Sequence, residues 1–261
     1  MPVDGNTDLR QFYEGGCYAA TKPPRLMRSD NFMYGQILKQ MRPYLRPGAK
    51  VLDLGCHTGG LSLYMARRGC EVLGLDLARN AVAMAAQGAE AYGFGNASFQ
   101  AMDFITEWEQ PDAFDFVLCS CVIEHIPDDA QFVRKIAMAL KPGGKLLMMA
   151  PSVHSTTHKM SRRAPHLFHN DEDVGHLHRY TTKSLAEMMQ QAGLQVKRMA
   201  FLDGPLRDWS IICKPLSKSL RLWRQRGIRV LFNGLDSLLA RFIVASLVAV
   251  HAEKPRTRGM S

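Results

Sequence analysis

The chain has 261 residues, 46% of them hydrophobic and 22% charged, and a net charge of +9. That length and apolar content can bury a full core without staples, and Cys17, Cys56, Cys70, Cys119, Cys121 and Cys213 include no Cys-x-x-Cys pair, so reduced thiols are expected rather than a disulfide framework or a structural zinc. The polar Met1–Asp8 stretch is no secretory signal, and the longest apolar candidate, Leu238 to Val250, is short and contains Arg241, so a cytoplasmic protein is expected.

In chain order, residues 1–46 come first and hold Phe12, Tyr13, Tyr18, Phe32, Tyr34 and Tyr44. They read as an N-terminal helical cap, either a lid or a packed helix pair. Val51, Leu52 and Leu54 then make a short apolar strand with Asp53 near its end. Gly55, Gly59 and Gly60 allow a tight turn into a helix near Leu61. A strand, a glycine turn and a helix N-terminus make a site for a nucleoside-bearing ligand, although an ordinary βα turn has the same pattern. A dinucleotide fold calls for Gly-x-Gly-x-x-Gly. Here the spacing is Gly-x-x-x-Gly-Gly, and the Asp53 carboxylate would repel a pyrophosphate. It suits a ligand carrying an ammonium and a sulfonium. Glu71–Asp76 is a second strand, and the acid at its end can accept both ribose hydroxyls or cap the next helix. Ser98–Phe104 reads as a third strand and its exit, and Phe114–Ser120 as a fourth. Leu140–Gly144 stops a helix and turns into a fifth strand through Met149. Strands alternating with helical stretches imply parallel βαβ units.

Asp53, Gly55 and Gly59 resemble motif I, (Asp/Glu)-x-Gly-x-Gly-x-Gly, of the class I S-adenosylmethionine (SAM)-dependent methyltransferases, with His57 in place of the middle glycine. The Leu-Lys-Pro-Gly-Gly turn at Leu140–Gly144 is frequent in that family. The resemblance covers roughly residues 48–200 and the final strand. It implies an α/β, Rossmann-like, doubly wound seven-stranded sheet of order 3-2-1-4-5-7-6 with its last strand antiparallel. It implies SAM at the carboxyl edge of strands 1 and 4. Asp76 would hold the ribose with Leu77 beside it. Asp103 would face the adenine amino group between Met102 and Phe104. Asp53, Gly55, Cys56, Gly59 and Cys119 would line the remainder.

After the fourth strand, Cys121–Asp128 resembles the Glu-x-x-Glu-His turn of quinone-pathway O-methyltransferases, where two acids and a histidine can hold a divalent metal. Cys121 replaces the first acid, which disfavours magnesium, and no metal is expected. Glu124 and His125 remain, the histidine as a general base, an acceptor-positioning group or a structural residue. His154, His158, His166, His169, His176 and His178 follow within Ser152–Tyr180, at spacings that match no standard zinc set. Gly175–Thr181 resembles the Gly-His-x-x-(Arg)-(Tyr/Phe)-Thr segment of bacterial small-molecule and glycan-modifying methyltransferases, which places His176, Arg179 and Tyr180 above the methyl donor. The loop before them is long enough to be functional or mobile.

From Pro205 to Ser261 there are eleven Lys or Arg and three acids, so nearly all of the net charge lies there. Leu216, Leu220 and Trp223 lie at helical spacing among Lys214, Lys218, Arg221, Arg224, Arg226 and Arg229. Leu235, Leu238, Leu239, Phe242 and Ile243 mark a second helix. Ala245–Ala252 reads as the last strand, with Leu194–Phe201 as its hairpin partner. The boundaries are therefore a cap at 1–46, a core at 47–203, a basic helical insertion at 204–243 and the last strand at 244–254, in one domain. The insertion fits three roles: a solvated face with its apolar stripe packed on the sheet or a partner subunit, a helix on an anionic membrane surface, or nucleic-acid binding, which few aromatics support. Monomer and homodimer both stay open. The whole reads as a SAM-dependent methyltransferase acting on a hydroxyl of a small molecule, lipid or glycan. The alternatives are a non-catalytic SAM-fold subunit and a dinucleotide-dependent oxidoreductase.

Overall fold

The computed structural model describes residues 26–27, 34–155, 158–159, 171, 174–212, 226–242 and 245–256. Its elements run α1 (Gly35–Met41), β1 (Lys50–Leu54), α2 (Gly60–Ala66), β2 (Glu71–Asp76), α3 (Arg79–Ala91), β3 (Ala97–Ala101), α4 (Phe104–Glu107), β4 (Phe114–Ser120), α5 (Asp129–Ala139), β5 (Leu140–Pro151), α6 (Thr182–Gln191), β6 (Gln195–Leu202), α7 (Pro205–Ile212), α8 (Arg226–Phe242) and β7 (Leu247–Glu253). They form one sheet of order β3-β2-β1-β4-β5-β7-β6. β1 to β5 are parallel, and β7 runs antiparallel between β5 and β6. The expected order and the direction of the last strand are therefore present.

Side chains alternate across the sheet with the strand period of two. Leu52 and Leu54 of β1, with Val117 and Cys119 of β4, enter one core with Phe104, Phe132 and Leu185. Val51, Phe116 and Leu118 enter the other with Tyr64, Met65 and Leu38. Covering both faces explains why these strands read as near-continuous apolar runs. Each large side chain so buried contributes about 1.5–3 kcal/mol. Helix starts follow local chemistry. Asp128 accepts the Gln131 N–H at 2.8 Å ahead of α5, and Thr181 and Ser184 form a reciprocal cap at α6.

Three local expectations need adjusting. Lys141–Gly144 is not a turn ahead of β5 but an irregularity inside it, where the pairing shifts between Phe114 and Phe116. The strands expected at 194–201 and 245–252 are offset by one to two residues. From the cap, α1 is packed against the sheet through Ile37, Leu38 and Met41; residues 1–25 and 28–33 lie outside the described residues. Buried His251 of β7 joins this helix to the sheet. Its Nδ1 lies 2.6 Å from the Tyr44 hydroxyl and its Nε2 3.0 Å from Gln40 Oε1. An amide oxygen only accepts, so Nε2 carries the proton and Nδ1 accepts from Tyr44. Burial, aided by Arg198, lowers this imidazole to about 4 and keeps it neutral.

Helix α8 has its polar side turned inward. Asp236 and Arg207 are fully buried. Asp236 accepts from Gln36 Nε2, Gly204 N and Arg207 N at 2.9–3.0 Å. The Arg207 guanidinium reaches Asp203 at 3.0 Å and Asn233 at 2.8 Å. The apolar stripe of α8, expected to be able to pack on the sheet, faces out at Leu235 and Leu238, which are 47% and 52% exposed. Leu216, Leu220, Trp223 and Ile243 lie outside the described residues. Replacing Asp236 by Ala orphans three donors and takes one of the two carboxylates from beside the Arg207 guanidinium. We expect Asp236→Ala to cost about 3–5 kcal/mol in urea unfolding; a cost within about 1 kcal/mol would mean that the helix is oriented otherwise.

Candidate functional site

The sheet order reverses between β1 and β4, and the chain leaves these strands in opposite directions. The two exits carry strained backbone: φ is +68° at Gly55, +47° at His57, +79° at Gly59 and +56° at Cys121. A Cβ at Gly55 would overlap the Val122 side chain, and one at Gly59 would sit 2.9 Å from Ala85 Cβ, so these two glycines are required by space as well as by φ. His57, where the family motif has glycine, adopts the left-handed conformation and turns its ring outward. That costs about 1–2 kcal/mol relative to glycine's freedom. The position is a glycine position held by another residue.

Acids gather at this edge. Asp53 is buried, and its carboxyl accepts from Ser62 Oγ at 2.5 Å. Burial, opposed by Ser62 and reinforced by the neighbouring Asp76, lifts it to about 7. Asp76 accepts the His57 N–H at 2.8 Å and the Ala78 N–H at 2.9 Å. It therefore ties the glycine turn to the end of β2, while the N-cap of α3 is Ala78. A carboxylate has about four acceptor positions, so two N–H groups leave room for two hydroxyls. Asp103 caps α4, accepting from Ile105 N and Thr106 Oγ1 at 2.9 Å each. Leu77 and Met102 are half-buried beside these acids. Phe104 is not beside them: its ring lies in the core, 6.2 Å from Trp108 and 6.0 Å from Phe132. Cys56 and Cys119 are buried, and burial raises both thiols.

The second half of the site forms where Val174–Tyr180 folds onto the 3-10 turn Ile123–His125. Leu177 N and His178 N donate to the Glu124 carbonyl at 2.7 and 3.2 Å. The Glu124 side chain is fully buried, and neither carboxyl oxygen has a hydrogen-bond partner. Burial lifts it to about 8, against the pull of Arg179. His125 Nε2 lies 4.0 Å and His176 Nε2 3.9 Å from Glu124 Oε1, and the two rings stack edge-on at 5.0 Å. The other ring nitrogens face acceptors: His125 Nδ1 is 2.9 Å from the Gly175 carbonyl, and His176 Nδ1 is 3.3 Å from Asp171 Oδ1. A carbonyl cannot donate, so His125 carries its proton on Nδ1, and Nε2 is the unprotonated nitrogen. Burial lowers His125, and burial with His125 and Arg179 lowers His176 to about 4. Both rings are neutral near pH 7.

Asp171 was not singled out in the sequence, yet it organises this half. Arg179 holds it through two nitrogens at 2.5–3.0 Å, and His158 Nδ1 lies 3.2 Å away. Burial pushes its carboxyl up, but Arg179, His158 and His176 outweigh this and hold it below the usual range. Tyr180 is buried against the 3-10 turn: its hydroxyl lies 3.3 Å from the Ile123 carbonyl and donates to Asp129 at 2.8 Å, and burial and that bond push its ionisation far up. Cys121 is exposed at the β4 exit. The side chains that meet within 4.8 Å are Glu124, His125 and His176, and burial around its sulfur and the neighbouring Glu124 push the Cys121 thiol up.

Residues 27–198 match the model of a methyltransferase domain family, and the chain belongs to it, among the class I SAM-dependent methyltransferases. It is similar to the ubiquinone biosynthesis O-methyltransferase of Idiomarina loihiensis, 43% identical over 101 residues, which is 38% of this chain and 41% of that protein. The enzyme of the same name from Aeromonas salmonicida is 32% identical over 157 residues, 59% of this chain and 66% of its own length. The chain thus matches less than two-thirds of either relative. Among solved structures, phosphoethanolamine N-methyltransferase 2 of Haemonchus contortus, in complex with SAM, superposes with a TM-score of 0.68 over 97% of this chain and 61% of that one, at 16% identity. At that identity the likeness concerns the fold.

The ionisation of Asp53 gives a test of this geometry. Between the ordinary value of 3.8 and about 7, the unfolded chain has released this proton and the folded one keeps it. Stability therefore falls as pH rises through that window. Asp53→Asn, which can still accept from Ser62, removes the slope. In the ligand-free protein its melting temperature should exceed the wild type's at about pH 8, by on the order of 3 kcal/mol in stability, and the two should converge near pH 4. Parallel melting curves at every pH would place Asp53 in a solvated setting.

Proposed function

We propose that the chain moves the methyl group of SAM to a hydroxyl of a small-molecule, lipid or glycan acceptor. The observation that carries this is the pair of neutral imidazoles, His125 and His176, whose Nε2 atoms lie 4.0 and 3.9 Å from buried Glu124 Oε1, next to the strand exits where the donor would lie. Asp76 stands at that edge, and Asp53, which keeps its proton up to about pH 7 in the ligand-free protein, would release it beside a cation; this favours a ligand with an ammonium and a sulfonium over a pyrophosphate and speaks against the dinucleotide alternative. Asp76 would accept the ribose hydroxyls through its two remaining acceptor positions. Asp103 would meet the adenine amino group, with Leu77 and Met102 against the ring. Gly55, Cys56 and Gly59 would let the ligand approach the backbone, and Cys119 would line the floor.

In the reaction, an acceptor oxygen attacks the methyl in line with the departing sulfur. The carbon–sulfur bond breaks as the carbon–oxygen bond forms, the sulfonium becomes a thioether, and the hydroxyl proton passes to His176 or His125 Nε2. The sulfonium already makes the methyl electrophilic, so alignment contributes most and the base adds about 10²–10⁴-fold. Asp171 and Arg179 position His176 rather than touch the acceptor.

A second reading rests on the same atoms. Two imidazoles and a carboxylate suit a borderline divalent metal such as zinc better than magnesium, and each ring has an acceptor on its other nitrogen, as metal-bound histidines do. Dialysis against a chelator separates the readings. Full turnover afterwards supports the base, whereas loss restored by zinc or manganese supports the metal.

Asp76→Ala should weaken SAM binding by about 2–4 kcal/mol in calorimetry, and Asp103→Ala by less; unchanged affinity in Asp76→Ala would remove the donor site from this edge. His176→Ala should lower turnover by at least about tenfold while SAM affinity stays within about threefold, or roughly 0.7 kcal/mol. Loss of donor binding by a folded His176→Ala protein would move this histidine to the donor side.

A further inference from the structure

We propose that the outward face of α8 docks on an anionic lipid bilayer. Val230, Leu231, Leu235 and Leu238 are 58%, 73%, 47% and 52% exposed, and Gly227 and Gly234 lie exposed among them. At 100° per residue these six positions share one side of the helix. The opposite side carries Asn233, Asp236 and Ala240, and the hydrogen bonds from Gln36, Gly204 and Arg207 clamp it inward. The helix cannot roll its leucines into the core without burying this network unpaired or exposing it. The apolar side is therefore a fixed property of the surface.

Charge selects the occupant. The exposed positions include no acid, and the sole acid of α8, Asp236, is committed to the network. By the same spacing Arg241 falls on the side of the leucines, and residues 205–261 together carry eleven Lys or Arg against three acids. A second copy of a chain at +9 would bring like charge onto like charge. A convex helix side offers no concavity for a small ligand. A flat anionic surface accepts the exposed leucines, attracts a basic chain, and needs no matching shape. The helix is roughly 25 Å long, and no helix among the described residues is long and apolar enough to cross a membrane. It would lie flat, its leucines in the head-group region.

The test is co-sedimentation of the full chain with vesicles of phosphatidylcholine alone or with one-third phosphatidylglycerol. Pelleting with the anionic vesicles at low salt, lost with neutral vesicles and weakened at high salt, is expected. The variant Leu231→Gln/Leu235→Gln/Leu238→Gln should weaken binding by at least about tenfold, with its melting temperature close to the wild type's, because these side chains are about half or more in water and glutamine keeps the helix propensity. Leu231→Trp should keep or raise binding, since tryptophan favours the interface. Three results would overturn the proposal: no pelleting, pelleting that the triple variant does not reduce, or a melting temperature that drops in the triple variant. A dimer on size exclusion that the triple variant abolishes would assign the face to a second copy instead.

Discussion

The divergence of the chain at the exits of β1 and β4 is the constraint on which the rest depends. A parallel sheet whose order reverses at one point must leave a crevice there. In this chain the crevice walls are set by backbone in the left-handed region at Gly55, His57, Gly59 and Cys121. The Val122 side chain fills the space where a Cβ on Gly55 would sit, so the two exits are interlocked rather than merely adjacent. A change at the β4 exit would therefore reach the glycine turn through contact, and through Asp76 it would reach the end of β2.

The acceptor half is assembled across a long interval of sequence. Glu124 and His125 stand on a 3-10 turn, and His176 arrives about fifty residues later on a loop that hydrogen-bonds the Glu124 backbone. The Arg179–Asp171 pair closes that loop on itself, and Arg179 Nη1 also donates to the Ser152 carbonyl at 3.2 Å. Two depressed imidazoles beside an elevated carboxyl follow from one cause, the exclusion of water, because burial disfavours every charged form at once. A site arranged in this way is neutral until something charged enters it.

The strands, the glycine turn and the acids at the ends of β1, β2 and β3 were legible because each rests on local pattern: apolar runs, a required positive φ, a carboxylate beside a strand end; the order of the strands came from the family resemblance. What was not legible depended on direction or on distant partners. The period of α8 identifies an apolar stripe, but only residues 36, 203 and 207 decide which side faces inward. Phe104 and Tyr180 looked like site residues from their neighbours in sequence, and tertiary packing drew both into the core. Ser62 and Asp171 carried no signal, since a serine in a first helical turn and an aspartate in a loop are ordinary; they matter for what they face. The departure at His57 was visible, but its backbone conformation was not.

The placement of β7 has a consequence for how the molecule is made. It is the last of the seven strands in the chain, yet it lies between β5 and β6 and pairs with both. A ribosome delivers β6, and then more than forty residues that include α7 and α8, before the strand that joins β6 to the sheet. Until then β6 has no partner, and Met199 and Phe201, still 52% and 41% exposed after folding, lie on an unpaired strand. Between the synthesis of β6 and that of β7 the nascent chain thus has two open β edges, the situation in which strands of neighbouring chains pair wrongly. Arrival of β7 closes both edges at once and brings His251 to Tyr44 and Gln40, so one late event completes the sheet and pins the early helix.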